Sequence, residues 1–121
     1  MLFDTFINTM SLKESKKDKV KLVESLYFNN LPDEVTCLVS NLDKTVFFDN
    51  DSFIRLLSFQ ELIDAEADMN VSFCEKGILP FFDLGDNDYL VYDLKRQTWC
   101  KYNIVDEVAF SFKTKLSEYQ F

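Results

Sequence analysis

Between Gly77 and Asn103 three apolar runs, residues 78–84, 88–94 and 97–103, are separated only by Gly85-Asp86-Asn87 and by Lys95-Arg96. Turns that short can join antiparallel neighbours but not parallel ones, which need a crossover of a dozen residues or more. This stretch therefore predicts a three-stranded antiparallel meander. Along residues 88–94 one face holds Leu90, Tyr92 and Leu94 and the other Tyr89 and Val91. Strand alternation likewise sends Phe81 and Phe82 to opposite faces. Large apolar groups on both sides imply either helices over both faces or one face left partly open for a partner.

The rest of the chain reads mainly as helix. Ser15-Lys16-Lys17-Asp18 is a helix start, followed by Val20, Val23 and Tyr27 at helical spacing as far as Asn29-Asn30. Leu31-Pro32 opens a second helix with Asp33 and Glu34 in its first turn and Val35, Leu38, Val39 and Leu42 at i, i+3, i+4 and i+7. Residues 46–48 and 53–57 read as short strands around Asp49-Asn50-Asp51. Ser58 and Glu61 make a capping box for a helix over 59–68. Val108, Phe112, Leu116 and Tyr119 predict a last helix from about Glu107. The fold class is α+β: an antiparallel or mixed sheet of about five strands, flanked by N-terminal helices and a C-terminal helix. The 121 residues fit one domain, with 1–17 as an N-terminal extension and a core over about 18–119.

Two Gly and two Pro leave little room for linkers, and 13 Phe supply ample core material. Cys37, Cys74 and Cys100 are widely spaced, outside any CxxC motif and odd in number, so they read as reduced thiols. The partly apolar first ten residues carry Asp4 and are too short to span a bilayer. Asn70-Val71-Ser72 fits the glycosylation pattern, which has no meaning without secretion. The expectation is a cytoplasmic protein with no membrane contact, monomeric or weakly dimeric.

The net charge of −8 is unevenly spread. Residues 11–21 carry five Lys against two acids, residues 33–93 carry fourteen acids against three cations, and residues 94–121 return to +2. An acidic centre disfavours direct nucleic-acid binding and suits a basic protein partner. It also does the ordinary work of solvating a surface.

Catalytic inventories are thin. The absence of His removes Ser-His-Asp and Cys-His chemistry and the usual zinc sites. Gly77 and Gly85 stand alone, without the GK[ST] that a phosphate loop needs. Asp83, Asp86 and Asp88, like Asp49 and Asp51, sit in turns where a carboxylate stays solvated, unlike the paired acids of glycoside hydrolysis. Neither cluster has the alternating ligands of a calcium loop, and Asp and Asn are ordinary turn residues. No cofactor is implied, and the chain reads as a non-enzyme.

Six short pieces resemble the SUKH superfamily of SMI/KNR-type domains over about residues 20–119. They are Leu31-Pro32, Arg55-Leu56-Leu57-Ser58, Ile78-Leu79-Pro80-Phe81, Gly85-Asp86, the strand 89–93, and Val108-Ala109-Phe110-Ser111-Phe112. An Asn-Gly pair common in the family is replaced by Asn41-Leu42-Asp43, and a Trp common before the third helix is missing. The resemblance implies a helix-flanked sheet and, for many bacterial members, neutralisation of a toxin, often a nuclease, by direct binding.

Such a protein fits an immunity role, with an inhibitor of a host defence nuclease carried by a phage or mobile element as a close variant. A regulatory or scaffold domain is the alternative from a different class. The expected contact centres on Asp83, Asp86 and Asp88 around the Gly85 turn. Phe81 or Phe82, whichever faces outward, would serve as apolar anchor.

Overall fold

The computed structural model describes residues 1–10 and 17–121. Its elements run α1 (Phe3–Met10), α2 (Lys17–Tyr27), α3 (Asp33–Ser40), β1 (Val46–Phe47), β2 (Arg55–Leu56), α4 (Phe59–Met69) and α5 (Phe73–Lys76), followed by β3 (Ile78–Asp83), β4 (Asp88–Asp93), β5 (Thr98–Asn103), β6 (Val108–Lys113) and a 3₁₀ turn (Leu116–Glu118). Six strands form one sheet in sequence order, every neighbouring pair antiparallel. The α+β class stands.

Local chemistry explains several boundaries. Ser58 Oγ accepts the Glu61 N–H at 3.1 Å, and Glu61 Oε1 accepts the Ser58 N–H at 3.0 Å, closing the capping box that starts α4. Asn70, at φ 54°, ends it. Pro32 caps α3 in an extended conformation, with Asp33 and Glu34 in the first turn where the helix dipole favours acids. The second-helix stripe is buried as the spacing required: Val35, Leu38, Val39 and Leu42 all lie in the core. The helix-start residues Ser15 and Lys16, with most of the preceding polar run, lie outside the described residues; α2 is described from Lys17.

The core has two clusters. The larger joins Phe3, Phe6, Ile7 and Met10 of α1 to α2, α3, the sheet residues Leu79, Phe81, Phe82, Leu90, Tyr92 and Trp99, and the C-terminal Leu116 and Tyr119. The smaller sets Ala65, Val71 and Phe73 against Ile78, Val91, Cys100 and Tyr102. Apolar groups therefore cover both faces of β3–β5, the first of the two options that strand alternation left open. β6 lies outside that cover, exposed at every position.

Three expectations are corrected. Within the stretch 1–17 read as an extension, α1 instead buries Phe3, Phe6, Ile7 and Met10 in the core. Asn50 Oδ1 accepts the Phe3 N–H at 2.8 Å and ties this helix to the β1–β2 loop.

The segment read as a C-terminal helix is instead the sixth strand followed by the 3₁₀ turn. Val108, Phe112 and Leu116 do recur at i, i+4 and i+8. Val108, Phe110 and Phe112 also alternate, and pairing with β5 decides between the two periods. Glu107, at φ 54°, takes a turn conformation that no helix N-terminus uses.

Finally, Phe81 and Phe82 do not point to opposite faces. Pro80 pairs with Val91 and Phe82 with Leu90, so Phe81 is the extra residue of a bulge. Both rings enter the larger cluster with no exposed surface. Pro80, with no N–H to give the ladder, sits where the register breaks.

Candidate functional site

In a meander the first, third and fifth hairpin turns all fall at the same end of the sheet. Here these are the β1–β2 loop, the β3–β4 turn and the β5–β6 loop. Their acids are Asp49 and Asp51, then Asp83, Asp86 and Asp88, then Asp106 and Glu107. Glu61 at the start of α4 joins them through Arg55.

Among the described residues Arg55, Lys76 and the Met1 ammonium, 2.6 Å from Asp49, are the cations that reach this end, and all three are engaged. Arg55 holds Glu61 at 2.7 Å and Asp83 at 3.3 Å, and Lys76 lies 3.7 Å from Glu107. Lys95, Arg96, Lys113 and Lys115 stand at the opposite end, with Asp93 and Glu118 among them. The topology thus gathers acids of three separate loops at one end of the sheet and these four cations at the other.

The β3–β4 turn is built to hold its shape. The Asp88 N–H donates to the Gly85 carbonyl at 2.9 Å, and the Leu84 N–H to the Asp88 carbonyl at 2.9 Å. Gly85, Asp86 and Asn87 take φ of 83°, 53° and 65°, the left-handed region that Gly, Asp and Asn tolerate best. Asp83 Oδ1 accepts the Gly85 N–H at 2.9 Å. Asn103 donates to Asp88 Oδ1 at 2.9 Å, and its own Oδ1 accepts the N–H groups of Val105 and Asp106. The Ile104 N–H donates to the Asn87 carbonyl, fastening the third loop to the second.

The five expected contact residues thus fall into three groups. Asp86 projects into solvent. Asp83 and Asp88 are half-buried and occupied in holding the turn. Phe81 and Phe82 are core residues, so neither can serve as an outward-facing anchor. An apolar pair is present at this end, but it is Phe47 and Phe53, 61% and 51% exposed, with ring centroids 6.2 Å apart. The Phe53 ring lies over Gly85, where an added Cβ would sit 3.6 Å from its Cδ1. Alternation in the Phe47-Phe48 and Phe53-Ile54 pairs could have located these rings: Phe48 and Ile54 are buried, so their neighbours face out.

Perturbed groups near the site have structural causes. Burial disfavours the Glu61 carboxylate, but the Ser58 N–H and the Arg55 guanidinium outweigh it and hold the carboxyl below its ordinary value. Burial also opposes the Arg55 charge, and Glu61 and Asp83 overcome it. The Tyr89 phenol is raised, first by burial and then by Asp83. Each shift favours the state that makes the local bonds, and none leaves a base or acid poised near neutrality for proton transfer.

No group of three or more His, Cys, Asp or Glu residues that could hold a metal ion occurs among the described residues. No helix among them is long and apolar enough to cross a membrane. A groove of about 540 Å³ runs between α1 and the loop after α3. Its lining includes Asp43, paired with Lys19 at 2.9 Å, Lys44, and Met1, whose ammonium is paired with Asp49 at 2.6 Å. No protein-family model matches the chain, and no curated protein matches it at a significant level.

Proposed function

We propose that this is a non-catalytic binding protein that engages a basic protein partner with the acidic end of its sheet. The observation that carries the reading is the alignment of three acid-bearing loops along one end of the sheet, with the exposed Phe47–Phe53 pair at its β1–β2 corner beside the Gly85 turn. Solvated carboxylates steer a cationic surface into encounter, while an aromatic pair that loses its water on contact supplies holding energy. Hydrogen bonds within and between the second and third loops keep the end rigid, so little ordering entropy is lost on binding.

The partner class that fits is a toxin or nuclease whose basic, phosphate-binding surface this end covers. The protein then acts as an immunity protein in the cytoplasm, in the manner of the SUKH domains that its sequence resembles. The helix-flanked antiparallel sheet is compatible with that resemblance. The lack of His leaves no Ser-His-Asp or Cys-His chemistry, in keeping with inhibition by occlusion.

The test separates the two contributions. Asp51→Lys with Asp86→Lys changes two exposed charges and should slow association and flatten its salt dependence. Phe53→Ala should instead speed dissociation, at a cost of about 2 kcal/mol if the ring is a hot spot. Unchanged association by the double variant, with the fold intact by circular dichroism, would refute this placement.

A further inference from the structure

The groove between α1 and the loop after α3 has a volume of about 540 Å³, inside the range of small-molecule sites. Phe6 and Met10, both buried, form its floor with Val46, and the more exposed Met1 stands at the side. Phe6 and Met10 lie four residues apart on α1 and so share one face of the helix. Val46 lines the groove, while strand alternation sends its neighbour Phe47 to the other side of β1. Two of these four apolar groups are methionines, whose unbranched, flexible side chains accommodate chains of varied shape.

The polar groups around this floor are committed, with one exception. Thr9 Oγ1 donates to the Thr5 carbonyl at 2.8 Å, and the Asn41 amide nitrogen donates to the Cys37 carbonyl at 2.7 Å. Asp43 pairs with Lys19 at 2.9 Å, and the Met1 ammonium pairs with Asp49 at 2.6 Å. The exception is Lys44, exposed at the rim and in no ion pair with another described residue. In a chain whose net charge is −8, the groove thus sets one uncommitted positive charge beside an apolar floor.

We propose that this groove binds a free, unbranched carboxylate of medium chain length. Its methylenes lie along Phe6, Met10 and Val46, and its head group meets the Lys44 ammonium. One carboxylate balances the one uncommitted charge. Water at the rim keeps that pair weak, so burial of the chain supplies most of the affinity. An anionic membrane fits less well, because the apolar floor is recessed, whereas a bilayer takes up apolar groups that stand out from a surface. The ligand is a small molecule and its site does not rest on the basic partner proposed above.

The three methionines make the test direct. In the full chain labelled with ¹³C at the methionine methyls, Met1 and Met10 report on the groove, and Met69, packed against the smaller core cluster, serves as internal reference. Octanoate should shift Met1 and Met10 to saturation with a Kd of about 1 mM and leave Met69 in place. From hexanoate to decanoate, each added methylene should tighten binding about fourfold. Lys44→Gln should weaken octanoate binding about fivefold and leave binding of 1-octanol, which has the same chain and no charge, unchanged. No shift at Met1 and Met10, an equal shift at Met69, affinity indifferent to chain length, or the same loss for octanol as for octanoate would each overturn the proposal. So would methyl shifts produced by phosphatidylglycerol vesicles but not by octanoate.

Discussion

Replacing Phe3 with Ala removes the ring on which four separate parts of the chain meet. It packs edge-on against Phe48 at 6.0 Å, Phe82 at 5.3 Å and Phe121 at 5.0 Å, joining α1 to the end of β1, the bulge of β3 and the C-terminus. It is 1% exposed. Truncating a buried Phe to Ala costs about 3–5 kcal/mol through lost transfer energy and the cavity left behind. Loss of three edge-to-face contacts places this site toward the upper part of that range. For a domain of this size, 1 kcal/mol corresponds to about 4 °C in Tm, so the expected fall is about 12–20 °C. Thermal melts followed by circular dichroism and near-ultraviolet signal would measure it. A true N-terminal extension would give a shift near zero, and a fall of less than about 4 °C would refute the core role assigned to α1.

Three further outcomes follow from particular contacts. The Glu61 carboxyl is held below its ordinary value in the folded state, so its contribution is full above the unfolded value and is lost as pH falls through the folded one. Glu61→Gln should therefore flatten the fall of Tm between about pH 5 and pH 3, and an unaltered acid limb would contradict this. Burial, then Asp93, pushes the Cys100 thiol up to about 11, and the residue is 1% exposed. At pH 8 only about one thiol in a thousand is ionised, so native alkylation should wait on unfolding; rapid labelling would show an open site. Gly85→Ala meets only ordinary contacts but forces alanine to φ 83°, so it should cost about 1–2 kcal/mol, with Gly85→Asn costing less.

Much of the fold was legible because short-range rules decided it. The tight turns after Leu84 and Leu94 permitted only antiparallel pairing, and Ser58 with Glu61 fixed the start of α4 without reference to the rest of the chain. What could not be read depended on distant partners. Residues 108–113 fit both a helical and a strand period, and only β5, closed by a loop with Glu107 in the left-handed region, settles the choice. Phe81 and Phe82 broke strict alternation because Pro80 lies at a bulge. α1 is shorter than an isolated helix can be in water, and its apolar face is explained by the β-bulge and C-terminal aromatics that it covers. At the candidate site the acids of the Gly85 turn were visible as turn chemistry. Their meeting with Asp49, Asp51, Asp106 and Glu107 is a property of strand order, as is the placing of the Phe53 ring over Gly85.

The most direct measurement is competitive capture from a lysate of the native host, comparing the unaltered protein with the Asp51→Lys, Asp86→Lys variant at several salt concentrations. The account predicts a basic protein retained by the first, released as salt rises and missing from the second, with purified partner and protein associating more slowly when the two charges are reversed. Equal retention of that partner by both forms, or binding indifferent to salt, would contradict a function carried by the acidic end of the sheet.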